Sequence, residues 1–181
     1  PHRWSKVWLN DPRSSEIEIE YPCDVDDLPE RPSVWIMYSD DLVEWGDHAL
    51  VMEATHEYDE KVGAGIPPIK TDEGWVLIYH HVDLVLNPET GERERCYAAR
   101  AALLDLDDPS RVLSKTPGSI LSPQEWYERQ GDVHNVVFPT GGFVTDDTLS
   151  VYYGAADKYC ALATGSMTEL LSELVVYKHY D

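Results

Sequence analysis

The chain has 181 residues, room for one domain with a buried core. With 43% hydrophobic and 10% aromatic residues it is not a disordered chain. Its 34 acids against 14 basic residues give a net charge of −20, which argues against a nucleic-acid partner, since phosphate tracking needs a basic stripe.

The acids are spread along the chain, as at Asp24–Asp27, Asp105–Asp108 and Asp146-Asp147, and form no tail. They fit either an acidic partner-binding surface or a solvated coat for work in concentrated salt, where screening removes self-repulsion. The even spread favours the halophilic coat. Cys23, Cys96 and Cys160 are odd in number and widely spaced, with no CxxC pair. They read as reduced thiols of a cytoplasmic protein rather than a disulfide framework or a zinc site. No apolar run approaches a membrane span and nothing resembles a signal peptide, so no membrane partner is expected. The chain opens at Pro1 without an initiator Met.

In chain order, Ser14–Arg31, acidic and proline-bearing, reads as an irregular excursion. Ser33–Ser39 (SVWIMYS) is a β-branched and aromatic run, hence a strand, closed by Asp40-Asp41. Lys61–Pro68 is a Gly-rich loop stopped by Pro67-Pro68. Trp75–Val82 is a second strand, opened by the Asp72–Gly74 turn. A polar loop at Asn87–Glu94, with Asn87-Pro88 and Thr90-Gly91 as turn dipeptides, leads to a strand over Tyr97–Leu106. Pro123–Arg129 has the makings of a short helical turn. Val133–Phe138 and Leu149–Tyr153 flank Thr140-Gly141-Gly142 and Asp146-Asp147 like a hairpin, and Tyr159–Thr164 is a last strand. Ser166–Leu174 reads as the one substantial helix: Ser166 caps it, Glu169 follows three residues later, and Leu170, Leu171 and Leu174 share a face. Aromatic strands recur at roughly 40-residue intervals, about one propeller blade each. The fold class is therefore all-β, a partial β-propeller of about three four-stranded blades with one short C-terminal helix, the whole chain being one domain portion. Such an arc leaves sheet faces bare, so it belongs to a larger ring or associates, for example as a homo-oligomer.

Several residues are equipped for chemistry. Lys61, at the mouth of its Gly-rich loop, offers a point charge to phosphate or a sugar hydroxyl; a solvated lysine before a tight turn has the same local sequence. The segment is not a P-loop, because no Gly-Lys-Ser/Thr follows. His80 and His81 are adjacent on a strand and so point to opposite faces; they cannot share one metal, and at most one faces a cleft. His134 follows Gly131-Asp132 at a strand start. Asp157, ending YYGAAD, can accept two sugar hydroxyls beside Tyr152 or Tyr153, or simply cap a turn.

These segments resemble a known family. KVGAGIPPIKTDEGWVLIYHHV at 61–82, CYAARAALLDLDDP at 96–109, GDVHNVVFPTGG at 131–142 and YYGAAD at 152–157 are similar, in order and spacing, to the C-terminal half of the five-bladed propellers of glycoside hydrolase family 130, which contains β-mannoside phosphorylases and β-mannosidases. The first block is similar to the family's KxGAGxPPIxTxxGWLxxYHG motif, except that His81 stands at its last Gly. The resemblance implies phosphate binding by Lys61, Tyr97 and His134, and sugar binding by Asp157 and His80. It also implies that Arg3 of the His2-Arg3 pair clamps phosphate in a bidentate contact. In such relatives the catalytic aspartate precedes that pair. The expectation is therefore a truncated chain that lacks its general acid and is silent alone.

The implied reaction is inverting phosphorolysis of a β-mannoside to mannose 1-phosphate. One carboxylic acid protonates the leaving oxygen, and phosphate, the co-substrate, attacks the opposite face. No metal or organic cofactor is implied. A β-mannosidase of the same family and a non-catalytic carbohydrate-binding propeller are the rival readings, separated by whether phosphate is consumed and whether a proton donor reaches the cleft.

Overall fold

The computed structural model describes residues 32–54, 60–87 and 91–176. Arg3 and the Ser14–Arg31 excursion lie outside these residues. Among the described residues the chain is almost wholly β: β1 (Ser33–Tyr38), β2 (Gly46–Glu53), β3 (Lys61–Ala64), β4 (Ile69–Lys70), β5 (Trp75–Leu86), β6 (Arg93–Leu104), β7 (Val112–Lys115), β8 (Val137–Thr145), β9 (Thr148–Ala155), β10 (Tyr159–Ser166) and β11 (Val175–Val176). Two short helices interrupt them, α1 (Trp126–Arg129) and α2 (Met167–Ser172).

The strands make three antiparallel sheets: β1-β2, then β11-β7-β6-β5-β3 with β4 also on β5, then β10-β9-β8. The middle sheet is the centre of the packing. Val76–Val82 of β5 is buried residue after residue, as expected of a strand covered on both faces. Val76 and Ile78 join Ala99, Ala101 and Leu103 against Leu149, Val151 and Met167 of the third sheet and α2. Leu77 and Tyr79, on the other face, join Ala102 and Leu104 against Val34, Met52 and Ala54 of the first sheet. The alanines of β6 let both neighbouring layers approach closely. No helix among the described residues is long and apolar enough to cross a membrane.

The expected strands are present with shifted limits, but among the described residues they group into sheets of two, six and three strands rather than into three of four. β5 runs four residues past Val82 to Leu86, paired throughout with β6 from Trp75↔Leu104 to Leu86↔Arg93. The Lys61–Ala64 part of the Gly-rich loop is a strand, paired Lys61↔Val82 to Ala64↔Tyr79. Val133–Val136 lies outside β8; of it, Val136 makes a single parallel bridge to Tyr97. Helix α2 carries the expected cap, Glu169 N donating to Ser166 Oγ at 3.0 Å. Asp147 in the β8–β9 turn also accepts from Thr168 N at 2.9 Å and Thr168 Oγ1 at 2.7 Å, so the hairpin tip anchors the helix. The expected turn at Pro123–Arg129 contributes α1, a second short helix.

Candidate functional site

Register places the first candidates. Cross-strand partners in an antiparallel sheet share a face, so Lys61, Val82 and Tyr97 form one row across β3, β5 and β6. The next row on that face is Gly63, His80 and Ala99. His80 is buried there, its ring 4.3 Å from that of Phe138 and 6.4 Å from that of Tyr97, centroid to centroid. Burial pushes the His80 imidazole down to about 4; a hydrogen bond with the Ala64 backbone opposes this, and the nearby His81 and Lys61 add to it. His80 is therefore neutral at pH 7 and acts as a dipolar hydrogen-bonding group rather than a cation.

Gly63 is what allows that ring to lie down. A Cβ at Gly63 would stand 2.3 Å from His80 Cε1 and 2.7 Å from Nε2. The ring has Phe138 packed against its other side. Gly63→Ala is expected to displace His80 and cost about 1–3 kcal/mol of stability, as overpacking does; thermal or urea unfolding of the variant measures it, and an unchanged midpoint would show that the ring moves freely.

A second group comes from far along the chain. Asn135 O accepts from Tyr97 N at 2.9 Å, and Ala156 O accepts from Val133 N at 3.2 Å. A Cβ at Gly131 would meet Ala156 O at 2.2 Å, so only glycine lets this segment rest on the β9–β10 turn. That turn holds Ala156 at φ 50° and Asp157 at φ 53°. Aspartate tolerates this left-handed region; alanine does so at a cost of about 1 kcal/mol. Strain held at such a turn accompanies functional sites often enough to mark it.

The result is two adjoining clefts that share Tyr97 and Val133. One, of about 570 Å³, is also lined by His134, Asn135, Glu94 and the cations Arg93 and Arg95. The other, of about 310 Å³, is also lined by Val136, Phe138 and Asp157. Tyr97, His134 and Asp157 are thus brought together, with His80 in the wall behind Phe138 and Tyr97. Lys61 stands two strands along the row from Tyr97, about 10 Å by strand spacing, and borders neither cleft.

Other site residues were not legible in the sequence. Glu94 accepts from Asn87 Nδ2 at 2.7 Å and from Asn135 Nδ2 at 3.1 Å, tying the β5–β6 hairpin to the His134 segment. Arg95 makes a two-pronged contact with Glu60, at 2.9 and 3.0 Å, beside Lys61. Glu128 of α1 is buried, its Oε1 accepting from Tyr153 Oη at 2.6 Å and Oε2 from Gln124 N at 2.7 Å and Glu125 N at 2.8 Å. Burial raises the Glu128 carboxyl, but these three hydrogen bonds, with Arg129 nearby, hold it below the usual glutamate value. The carboxylate steadies α1, and the Glu128 backbone O accepts from Val136 N at 2.9 Å, so α1 holds the strip of chain on which His134 rides. The signal of Glu128 in the sequence was no more than an acid three residues after Glu125 in a predicted helical turn.

The histidine pair divides as strand alternation requires. His81 lies on the opposite face of β5 from His80, and its Nε2 is 2.8 Å from Ser119 Oγ.

The family model described as beta-1,4-mannooligosaccharide phosphorylase, that of glycoside hydrolase family 130, matches residues 28–175. The chain belongs to glycoside hydrolase family 130. Among family members, a 1,2-beta-oligomannan phosphorylase of Thermoanaerobacter sp. strain X514 is 41% identical over 141 residues, covering 77% of this chain and 45% of its own. The solved beta-1,2-mannobiose phosphorylase of Listeria innocua, in complex with beta-1,2-mannobiose, superposes with a TM-score of 0.69 at 40% identity, over 78% of this chain and 38% of its own. A third structure, at TM-score 0.63 and 26% identity over 75% of this chain and 41% of its own, is described as showing that family 130 mannoside phosphorylases include glycoside hydrolases targeting beta-1,2 mannosidic linkages in Candida mannan. The chain thus spans less than half the length of each of these family 130 relatives.

Proposed function

We propose that this chain supplies the sugar- and phosphate-holding part of an inverting family 130 phosphorylase, which transfers a mannosyl group from a β-mannoside to inorganic phosphate and releases mannose 1-phosphate. The observation that carries the reading is the convergence of Tyr97, His134 and Asp157 on two adjoining clefts. In this reading the three sheets are successive blades of a propeller. Asp157 accepts two mannosyl hydroxyls in the smaller cleft. Phosphate takes the larger one, where Tyr97 and His134 donate hydrogen bonds; Lys61 adds charge from two strands away, Arg3 is the further phosphate clamp that the family resemblance implies, and neutral His80 lines the sugar's side. Phosphate is itself the nucleophile, so the second carboxylate of an inverting hydrolase is not required. The only added reagent is phosphate, with no metal or organic cofactor.

Hydrolysis is the second reading, favoured by the hydrolases among the solved relatives. Product analysis with the intact protein and β-linked mannobiose separates the two. Mannose 1-phosphate that appears only when phosphate is present supports phosphorolysis. Free mannose at the same rate with or without phosphate makes the protein a β-mannosidase, and sugar binding without turnover makes it a binding module.

The net charge of −20 leads to an expectation about conditions. If the acids form the coat of a cytoplasmic protein in concentrated salt, the unfolding midpoint rises markedly from low to molar potassium chloride, because screening relieves self-repulsion. A flat profile in a differential scanning experiment would favour the acidic partner-binding surface.

A further inference from the structure

We propose that Ser119, His81 and Asp83 form a hydrolytic relay for short-chain carboxylic esters, on the face of the middle sheet turned away from Lys61, His80 and Tyr97. His81 Nε2 and Ser119 Oγ are 2.8 Å apart, and His81 Nδ1 lies 3.3 Å from Asp83 Oδ2. This is the order of groups that activates a serine: hydroxyl, imidazole, carboxylate. The second is a close approach without hydrogen-bond geometry, as catalytic contacts often are before substrate binds.

Each member is placed by the fold. His81 and Asp83 are two apart on β5 and therefore share a face. The small side chain of Ala98, the register partner of His81, leaves the imidazole space. Beyond β7 the chain returns to β6 through Thr116 N to Ala101 O at 2.9 Å and Ile120 N to Ala99 O at 2.8 Å. Residues Pro117, Gly118 and Ser119 bulge between these anchors, and the bulge sets Ser119 Oγ against His81. The burial gradient suits the chemistry: His81 is 1% exposed, whereas Ser119 is exposed, and a Cβ at Gly118 would meet nothing within 4 Å. Asp83 Oδ1 is out of solvent and accepts no hydrogen bond among the described residues, while Oδ2 has Arg100 Nη2 at 3.9 Å. The Asp83 side chain is 31% exposed as a whole, and its carboxylate favours the imidazolium that forms when His81 takes a proton. In the family motif the position of His81 is glycine, so the relay is a feature of this chain rather than of the family pattern.

The chemistry closes. Ser119 Oγ bonds to the ester carbonyl carbon as its proton passes to His81 Nε2. The ester C–O bond then breaks, and His81 returns that proton to the departing alcohol. Water attacks the acyl-serine with His81 again taking the proton, the acid leaves, and the proton goes back to Ser119. Ester and water become acid and alcohol.

The test uses p-nitrophenyl acetate and a fluorophosphonate label on the intact protein. The expected result is a p-nitrophenolate burst of about one equivalent, label on Ser119 by peptide mass spectrometry, and a turnover rate lowered about 10²-fold or more in Ser119→Ala. Asp83→Asn should lower turnover while leaving Ser119 in place. Cys160 is an exposed thiol and reacts slowly with such esters, so the comparison is made between parent and variant with that thiol present in both. Equal rates in the two proteins, or label confined to another residue, overturn the proposal. Because Ser119 is exposed, its alanine variant should fold; a Ser119→Ala protein of parental melting temperature and parental esterase rate would show the His81 contact to be structural only.

Discussion

Replacing Asp157 with alanine is expected to weaken binding of a β-mannoside by about 10²-fold or more while leaving phosphate affinity within a few-fold of the parent. A carboxylate that accepts two sugar hydroxyls makes charge-assisted hydrogen bonds, each worth about 1.5–3 kcal/mol, and no other carboxylate lines the smaller cleft among the described residues. Lys61→Ala should do the reverse, weakening phosphate more than sugar. Its effect is expected to be the smaller of the two, because Lys61 borders neither cleft and acts from about two strands away. Isothermal titration with mannobiose and with phosphate, each alone, measures the split. Parallel losses of both ligands in either variant would mean that the residue holds the fold of the site rather than one ligand. Substrate loss without phosphate loss in Lys61→Ala would move phosphate to a different place, with Arg93 and Arg95 the remaining cations in the larger cleft.

Glu128→Ala is expected to destabilise the protein by about 3–5 kcal/mol, the range for removing one partner from a buried, charged hydrogen-bond set. It orphans Tyr153 Oη, Gln124 N and Glu125 N together. Tyr153 shows the same coupling from its side: burial and the Glu128 carboxylate push its hydroxyl far above the usual tyrosine range. The pH dependence has a defined sign. A carboxyl held below its ordinary value of 4.5 contributes stability that is present above that value and is lost as pH falls through the lower folded one. His80, lowered from 6.5 to about 4, contributes stability that is full above 6.5 and declines as pH falls toward 4, because the unfolded chain binds the proton first. Acid unfolding should therefore begin with a His80-dependent slope and steepen below the ordinary glutamate value. Glu128→Gln, which keeps the shape and removes the charge, should flatten the lower part alone. If Glu128→Gln unfolds in acid with the parental profile, the carboxylate is not the group that titrates there. The sugar readout matters as well: the carboxylate positions α1, whose Glu128 backbone O holds Val136 N beside His134, so a folded Glu128 variant whose α1 shifts should lose ligand affinity without either His134 or Asp157 having been changed.

Much of this protein was legible in residue order because the chemistry involved is local. The aromatic and β-branched runs of β1 and β5 announce strands, and Ser166 with Glu169 announces the start of α2, because those preferences act within a few residues. Adjacency on a strand was enough to separate His80 from His81. The resemblance made Lys61, Tyr97, His134 and Asp157 candidates for one common funnel; the last three line the two adjoining clefts and Lys61 lines neither.

What needed the tertiary structure was decided by contacts distant in sequence. β2, GDHALVME, has no clean alternation, and its pairing with β1 is broken by register shifts, so its strand character comes from its partner. β7 is four residues long and exists through β6 and β11. The glycines of 61–65 suggest a loop, yet Gly63 is in a strand, because a bare Cα is the one thing that fits opposite the His80 ring. Lys61 is held apart from the clefts by strand spacing, which no motif encodes. Glu128 reaches Tyr153 across 25 residues, and Ser119 reaches His81 across 38. Side-chain preference and strand alternation belong to the sequence by itself; burial, register and the pairing of charges form only when remote segments meet and water leaves between them.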